Sequence, residues 1–357
     1  MTLDNIVKLP DDTICPRVPI HIGTICNCKC EFCYFKKNLR IITPVEQVKD
    51  RITKVYNLGF REIDLTGGEP SVHPKFLEIL KYGSDLGCYM SCLSNGQKFA
   101  DIEFLKKAKN AGLKEILFSL HGSFTEQHDA IVGKSGTFTK ILQAIQNAQQ
   151  LGLLVRINCT VYHKNYGTLP TIYADLIKKI KPFEVNFIHL NYFTDNGDFN
   201  PEVLDKPIQA IKDCITRIRS DVKYINVRYV PFCYMQGFEK YCVNYFQHIY
   251  DLYDWDLGFN LKQSDLEIFY GYPTKDAWLN HVKKICIETR KQSFKKLPAC
   301  KDCKYSHICD GLKNELDYKV KVHPVPGRKI LDVIHFRHGF FDEVEKTKYG
   351  ITRIFKK

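Results

Sequence analysis

The sequence contains no apolar run that approaches the length of a membrane-spanning helix, and its amino terminus lacks the apolar core of a secretory signal. It also contains no internal repeat and no low-complexity segment. These absences argue against a membrane anchor, an export signal and a repeat array. We therefore expect a cytoplasmic protein with no membrane partner.

Cysteine, in contrast, is abundant, with fifteen residues in the chain. A chain of 357 residues, 44% of them hydrophobic, can bury one large core and a smaller appendage, so a disulfide scaffold would be unusual at this size. In a reducing compartment the cysteines fit metal or cluster ligation better. Four of them are predicted to be ordinary buried thiols, namely Cys88, Cys92, Cys159 and Cys214.

The 52 basic residues outnumber the 40 acidic ones, which gives a formal net charge of +12. Half of this excess lies in residues 275–304, which hold nine Lys or Arg and three Asp or Glu. A basic surface can attract phosphates, RNA or an acidic peptide. The same pattern is typical of a solvated helix face or of counter-charge for an anionic cluster, and no aromatic-interleaved nucleic-acid motif accompanies it. RNA is therefore an alternative partner and not the favoured one.

Apolar, β-branched segments alternate with amphipathic ones up to about residue 230. The predicted strands are 18–24, 61–66, 89–94, 114–120, 153–161, 183–190 and 223–230. The predicted helices are 44–58, 74–86, 101–111, 137–151, 168–180 and 203–220. Strands that alternate with helices of this length indicate βα units and a parallel sheet. After Pro231 the alternation ends, and the aromatic-rich residues 236–290 are predicted to be helical.

Three cysteines near the start of the chain, Cys26, Cys30 and Cys33, have the spacing CxxxCxxC. A 4Fe-4S cluster needs four ligands, and this short loop offers three. One iron then keeps an open position at which a substrate or cofactor can bind, which indicates an enzyme. From spacing alone, zinc ligation and buried thiols are alternatives, and Cys28 allows other pairings within the loop.

Three further motifs follow the next predicted strands in order. They are Gly67-Gly68-Glu69-Pro70, Ser94-Asn95-Gly96 and Ser119-Leu120-His121-Gly122. Together with the cysteines, and over roughly residues 18–190, they resemble the radical S-adenosylmethionine (radical SAM) enzyme superfamily, which shows CxxxCxFC, GGEP, T/S-N-G and S-x-D/H-G after successive strands. The resemblance implies an α/β fold. Its form would be a partial (β/α)6 TIM-type barrel with a small C-terminal cysteine-rich cluster-binding extension.

The resemblance also implies the chemistry. In the family, one electron from the reduced 4Fe-4S cluster cleaves S-adenosylmethionine to a 5′-deoxyadenosyl radical, which abstracts a hydrogen atom from the substrate. We therefore expect S-adenosylmethionine as a cofactor and an external one-electron donor of the flavodoxin or ferredoxin type. The substrate is expected to be a small molecule or a peptide.

Site residues follow from the resemblance. Cys26, Cys30 and Cys33 would ligate the cluster. Contacts to S-adenosylmethionine are expected from Phe32, Tyr34, Gly67, Gly68, Glu69, Ser94, Ser119, Arg156 and Asn158. The Gly67–Glu69 segment would receive the methionine ammonium group, and Arg156 would pair with a carboxylate. For Arg156 and Asn158 an alternative is nearly as good: they would be a pair of polar residues on one face of a strand, packed against the end of a helix. His121 is the one catalytic candidate, as a substrate contact or proton donor, and a structural hydrogen bond is its alternative role.

A second cysteine group, Cys300, Cys303 and Cys309, has the spacing CxxCxxxxxC. It resembles the auxiliary-cluster regions called SPASM and twitch domains, and a single twitch-like 4Fe-4S cluster is predicted. Cys233 is the preferred fourth ligand. The alternatives are Cys242 and Cys286, or a zinc site that includes His307 or another cysteine.

The predicted organisation has four parts. They are an N-terminal extension (1–17), the core barrel (18–230), an aromatic-rich and cysteine-rich auxiliary-cluster region (231–317) and a basic C-terminal segment (318–357). We expect the short N-terminal extension to leave no room for the leader-binding domain of some peptide-modifying enzymes, a domain that a separate protein could supply. Two other functions stay open, an RNA-modifying enzyme of the same superfamily and a zinc-binding non-catalytic protein.

Overall fold

A computed structural model of the chain describes residues 17–33, 35, 40–190, 204–248, 271–314 and 320–337. Its main sheet has eight parallel strands in the order of the sequence. The strands are β1 (Arg17–His21), β2 (Glu62–Thr66), β3 (Tyr89–Ser94), β4 (Leu113–Ser119), β5 (Leu154–Val161), β6 (Glu184–His189), β7 (Tyr224–Arg228) and β8 (Cys242–Val243). The helices are α1 (Val45–Asn57), α2 (Phe76–Asp85), α3 (Ile102–Asn110), α4 (Thr125–Val132), α5 (Thr137–Gln150), α6 (Ala174–Ile180), α7 (Asp205–Ile218), α8 (Tyr245–His248) and α9 (Lys275–Ser293).

The sheet curls into a partial barrel, which confirms the predicted fold class. Arg17 on β1 and Glu115 on β4 are three strands apart in the sheet, about 14 Å if the sheet were flat. Nevertheless the Arg17 Nη1 to Glu115 Oε1 distance is 2.7 Å. The polar faces of these strands must therefore turn towards each other across a concave surface.

Alternation along each strand explains this arrangement. On β5, Val155, Ile157 and Cys159 belong to the hydrophobic core that also contains the buried residues of the helices. The intervening Arg156 and Asn158 lie on the opposite face and are also buried. Helices therefore cover an apolar outer face, while the inner face of the barrel is polar.

Glu115 is the centre of the ionic network on that inner face. Its carboxylate accepts hydrogen bonds from Arg17, at 2.7 and 3.0 Å, and from the hydroxyl of Tyr89 at 3.0 Å. The Arg156 Nε to Glu115 Oε1 distance is 2.5 Å, and Glu184 and Asp64 lie 3.7 and 3.9 Å from the same guanidinium. Burial opposes the charge of Arg17, but pairing with Glu115 raises its pKa well above the usual value. These groups occupy the amino-terminal halves of their strands.

The structure adds elements that the sequence did not predict, among them helix α4 and strand β8. Helix α4 lies between the predicted strand 114–120 and the predicted helix 137–151, where no element was predicted. Its apolar periodicity is weak, because only His128, Ile131 and Val132 are buried. Strand β8 is two residues long and pairs with β7, so the sheet continues beyond residue 230, where the barrel was predicted to end. The helical prediction for residues 236–290 is wrong at β8, whereas α8 and α9 are helical.

The C-terminal region packs back onto the barrel. Near the start of α9, Trp278 is 1% exposed and lies against Phe60, which precedes β2, with ring centroids 4.6 Å apart. Near the other end of α9, Arg290 donates to the backbone carbonyl of Cys309. Beyond α9, β9 (Phe294–Lys295) and β10 (Leu312–Lys313) form a small antiparallel pair around the second cysteine group. Among the described residues, no helix is long and apolar enough to cross a membrane.

We expect Glu115→Gln to lower the free energy of unfolding by about 3–5 kcal/mol, because it leaves Arg17 and Arg156 buried beside a neutral amide. Urea unfolding of the cluster-free protein measures this change. The matched control is Asp175→Asn, which breaks the exposed ion pair of Asp175 with Arg217 and should cost less than about 1 kcal/mol. Equal costs for the two variants would contradict the structural role given to Glu115.

Candidate active site

The cysteine loop, residues 26–33, leaves β1 and is held against the loop that follows β2. The backbone N–H of Gly68 donates to the carbonyl of Gly23 at 3.0 Å, and that of Glu69 donates to the carbonyl of Ile25 at 2.8 Å. A Cβ on Gly68 would lie 2.3 Å from the Ile25 oxygen, and one on Gly67, whose φ is +132°, would lie 2.0 Å from the Gly23 oxygen. Only glycine permits this contact. The two glycines therefore let the cysteine loop approach, in addition to any role towards a ligand.

Helix α4 holds the other side of the cysteine loop. The N–H of Lys29 donates to Val132 O at 2.9 Å, and the N–H of Glu31 donates to Ile131 O at 3.1 Å. The Glu31 carboxylate also accepts from the hydroxyl of Tyr162 at 2.9 Å. Elements distant in sequence therefore fix the loop from both sides.

Glu69 connects the loop after β2 to the turn after β3. It is 2% exposed, and its carboxylate accepts from Ser71 N at 3.1 Å, Ser71 Oγ at 2.5 Å, Ser94 Oγ at 2.8 Å and Asn95 N at 2.6 Å. Burial raises the pKa of Glu69, and these hydrogen bonds oppose the rise. Both Glu69 and Ser94 were predicted cofactor contacts. In the structure their side chains bind each other, and their roles towards S-adenosylmethionine stay predictions.

The thiols of the loop lie close enough to influence one another. Burial is the main cause that raises the pKa of Cys26 to about 11 and of Cys28 to about 12, and neighbouring charges add to the rise. The pKa of Cys30 is raised in the same way, by burial first and then by Cys28, Cys33 and Cys26. Ionised thiols would repel each other here, so a bound cationic centre would stabilise the thiolates.

Two amide side chains that sequence reasoning did not assign contact these sulfurs. Gln97 Nε2 donates to Cys28 Sγ at 2.8 Å. Asn95 Nδ2 lies 3.5 Å from Cys28 Sγ and 4.0 Å from Cys26 Sγ. The position of Asn95 inside the Ser94-Asn95-Gly96 motif was the only available signal.

Phe32 and His121 pack together beside the cysteine loop. Their ring centroids are 4.8 Å apart in an edge-on arrangement, and Phe32 also contacts the ring of Tyr162. His121 is 3% exposed, and its Nδ1 accepts from the backbone N–H of Thr160 at 3.1 Å. Burial and then His128 lower the pKa of His121 to about 3, so the ring is neutral near pH 7. This is the structural hydrogen bond given as the alternative role of His121.

Ser119 and Asn158 are register partners on β4 and β5, which places both on the concave face. Asn158 is 8% exposed, and its Oδ1 is buried without a hydrogen-bond partner among the described residues. A buried amide oxygen of this kind needs a donor, and a ribose hydroxyl would supply one. These residues therefore fit a nucleoside cofactor. Arg156 lies two residues earlier in the Glu115 network, with its guanidinium among three carboxylates, and its role towards a cofactor carboxylate stays a prediction.

The second cysteine group comes together in three dimensions. Cys233, Cys300, Cys303 and Cys309 line one pocket, with Lys296 and Tyr305 among the other lining residues. Burial raises the pKa of Cys233 to about 12, and the other three thiols contribute to the rise. Cys242 is not among the lining residues, because its Sγ is directed at the carbonyl of Val230 at 3.2 Å.

Two predicted site residues lie outside the described part of the chain. They are Tyr34, a predicted contact to S-adenosylmethionine, and the side chain of Cys286, an alternative ligand of the second cluster. In the part of the chain that the structure describes, no group of three or more His, Cys, Asp or Glu side chains is placed to hold a single metal ion. A 4Fe-4S cluster differs from such a site, because its ligands bind four separate irons.

Comparison with known proteins identifies the part of the barrel from β1 to the start of α6. The family model described as the Radical SAM superfamily matches residues 20–176. These residues belong to the radical SAM superfamily. The resemblance noted in the sequence is thereby confirmed, and the cysteine loop, the Gly67–Pro70 turn and the Ser94–Gly96 turn all lie inside this radical SAM domain.

Two curated proteins and one solved structure are similar to the chain. It is 31% identical over 180 residues to the Fe-coproporphyrin III synthase of Methanosarcina barkeri (strain Fusaro / DSM 804), covering 50% of this chain and 44% of that protein. It is 28% identical over 176 residues to the antilisterial bacteriocin subtilosin biosynthesis protein AlbA of Bacillus subtilis (strain 168), covering 48% and 38%. The chain thus spans about half the length of the curated relatives it matches, or less. The crystal structure of Streptococcus suis SuiB bound to precursor peptide SuiA has a TM-score of 0.56 at 15% identity, with 80% of this chain and 69% of that chain covered, and shares the fold.

We expect Gly68→Ala to displace the cysteine loop, because the new methyl group would lie 2.3 and 2.4 Å from the Ile25 and Thr24 oxygens. The variant should lose about 1–3 kcal/mol of stability and retain less iron after anaerobic reconstitution. Gly167→Ala is the control, since its added Cβ meets nothing within 4 Å and should change stability by less than about 0.5 kcal/mol. Wild-type iron content in Gly68→Ala would contradict this account of the loop.

Proposed function

We propose that the chain is a radical SAM enzyme that reductively cleaves S-adenosylmethionine and uses the resulting 5′-deoxyadenosyl radical to abstract a hydrogen atom from a small-metabolite or peptide substrate. The observation that carries this proposal is the cysteine loop. Three cysteines in the CxxxCxxC spacing sit on a loop that is held at two places. The backbone N–H groups of Gly68 and Glu69, after β2, donate to Gly23 and Ile25 just before the loop, and the Asn95 side chain, after β3, donates to Asn27 within it. The match of residues 20–176 to the superfamily model supports the same conclusion.

Each group of residues has a role in this proposal. Cys26, Cys30 and Cys33 would hold a 4Fe-4S cluster, which supplies the electron for reductive cleavage when it is bound. Ser119 and Asn158 would bind the cofactor's ribose or carboxylate from the concave face, where the buried Asn158 Oδ1 needs a donor. Phe32 would pack beside the cofactor and, with His121, exclude water.

We assign a second 4Fe-4S cluster to Cys233, Cys300, Cys303 and Cys309. The pocket that these four residues share supports the assignment, and Lys296 lines it as a source of counter-charge for anionic thiolates. Cys300, Cys303 and Cys309 come from one short segment, whereas Cys233 follows β7 and ties that segment to the barrel. An external flavodoxin- or ferredoxin-type protein would deliver electrons to the enzyme.

The relatives support both substrate classes. AlbA is a bacteriocin biosynthesis protein by name, which favours a peptide, and the similarity to Fe-coproporphyrin III synthase favours a small metabolite. RNA is the alternative substrate, motivated by the basic residues 275–304. Affinity for RNA would fall steeply with salt concentration, and affinity for an uncharged metabolite would not.

The wild-type chain, purified without oxygen and reconstituted, should hold about eight irons and cleave S-adenosylmethionine in the presence of dithionite. A Cys26/Cys30/Cys33→Ala triple variant should hold about four irons and lose the cleavage entirely, because its second cluster would remain. Iron and sulfide analysis with detection of 5′-deoxyadenosine measures both.

The control is Cys28→Ala in the same loop, which should keep iron and cleavage because Cys28 Sγ binds Gln97 and is not an assigned ligand. Cleavage that persists in the triple variant would exclude the proposed function. Zinc in place of iron in the wild type would have the same consequence.

We expect Cys233→Ala to reduce the iron content by up to about four irons per chain, because it removes one ligand of the second cluster. Cys242→Ala removes a buried thiol from the same region and should keep the wild-type content, since Cys242 does not line the pocket. Metal analysis of both variants, including zinc, distinguishes the two. Iron loss in Cys242→Ala alone would transfer the fourth-ligand role to that residue.

A further inference from the structure

The side-chain amide of Asn95 is aimed at the cysteine loop. Its Nδ2 lies 2.7 Å from Asn27 Oδ1, 3.5 Å from Cys28 Sγ and 4.0 Å from Cys26 Sγ. Its Oδ1 accepts from the backbone N–H of Gln97 at 3.1 Å. Because the oxygen is taken by a backbone donor, the orientation of the amide is set, and its two N–H groups must face the loop.

The backbone of Asn95 is fixed as firmly as its side chain. Its N–H donates to Glu69 Oε2 at 2.6 Å, and the preceding Ser94 donates to Glu69 Oε1 at 2.8 Å. The following Gly96 has a φ of +77° and lies against Ile141 of α5, where a Cβ would come within 3.0 Å. The amide is therefore presented from a turn that cannot shift without breaking buried contacts.

We propose that Asn95 is a positioning residue for the cluster loop, which holds the Cys26–Cys28 segment and donates an N–H to the Cys26 sulfur. The inference rests on the proposed function, because it takes Cys26 as a cluster ligand. Hydrogen bonds to ligand sulfurs stabilise the more negative, reduced cluster and so raise its reduction potential. Asn95 thus tunes how easily the cluster accepts the electron that cleavage requires.

Gln97 provides an internal comparison. Its side-chain amide makes the shorter amide–sulfur contact, 2.8 Å to Cys28 Sγ, and it is 8% exposed. That sulfur is not an assigned ligand. Loss of the Gln97 amide would therefore perturb the same loop without removing a donor from a ligand sulfur.

The experiment is a redox titration of the reconstituted chain and three variants, monitored by electron paramagnetic resonance. The signal that changes when S-adenosylmethionine is added identifies the cluster at Cys26, Cys30 and Cys33. In Asn95→Ala the reduction equilibrium should shift towards the oxidised cluster by up to about tenfold, which is up to about 59 mV for one electron. Asn95→Asp keeps the acceptor for Gln97 N–H, removes the donors and adds negative charge, so its potential should fall further. Gln97→Ala should match the wild type.

The outcomes separate this inference from the function on which it rests. A wild type without iron would overturn both. The inference alone would be overturned if the wild type holds its cluster and the Asn95 variants keep the wild-type reduction potential. Equal shifts of the potential in Asn95→Ala and Gln97→Ala would overturn it as well. If Asn95→Ala loses iron while its apoprotein keeps the wild-type Tm, the positioning role is supported. If the Tm of the apoprotein falls together with the iron content, Asn95 has a general structural role and the inference is overturned.

Discussion

The candidate site depends on the hydrogen bonds that the buried carboxylate of Glu69 accepts. The cysteine loop contains no helix or strand among its described residues. Its shape therefore comes from hydrogen bonds to the segments after β2 and β3 and to the end of helix α4. Glu69 supplies one of these through its backbone N–H, which binds Ile25, and its side chain fixes the turn that carries Asn95. One residue thereby couples the ends of β1, β2 and β3. Burial raises its pKa, and four hydrogen bonds to the carboxylate offset that cost.

A second buried network at the other end of the strands provides the scaffold. Arg17, Glu115 and Arg156 connect β1, β4 and β5 across the concave face, and the exposed fraction of each side chain is 1% or less. Ion pairs this deep contribute little net stability, but they fix which faces meet. The curl of the sheet in turn places the carboxyl ends of successive strands around one opening. The motif residues lie at those ends, as in other parallel αβ barrels.

The alternation of strands and helices could be predicted up to about residue 230, because apolar, β-branched segments alternate there with amphipathic ones. Helix α4 could not, because its buried residues do not form a clear stripe, and β8 is too short to give any pattern. Arg156 shows a different limit. Two polar residues on one face of a strand, here Arg156 and Asn158, indicate that this face is in a polar environment. Only the closure of the barrel reveals that Glu115, Glu184 and Asp64 surround the Arg156 guanidinium.

The motifs after β2 and β3 serve the scaffold at least as much as a ligand. Gly67 and Gly68 permit the close approach of the Gly23–Ile25 backbone, and Ser94 donates to Glu69. The Glu69 carboxylate already accepts four hydrogen bonds and has little capacity left for a cofactor, whereas Asn158 keeps a buried acceptor on the concave face. The sequence pattern that identifies the superfamily therefore describes how the cysteine loop is built and held. Ser119 and Asn158, on β4 and β5, are not used to hold that loop, and in the proposed function they are the residues that would contact the cofactor.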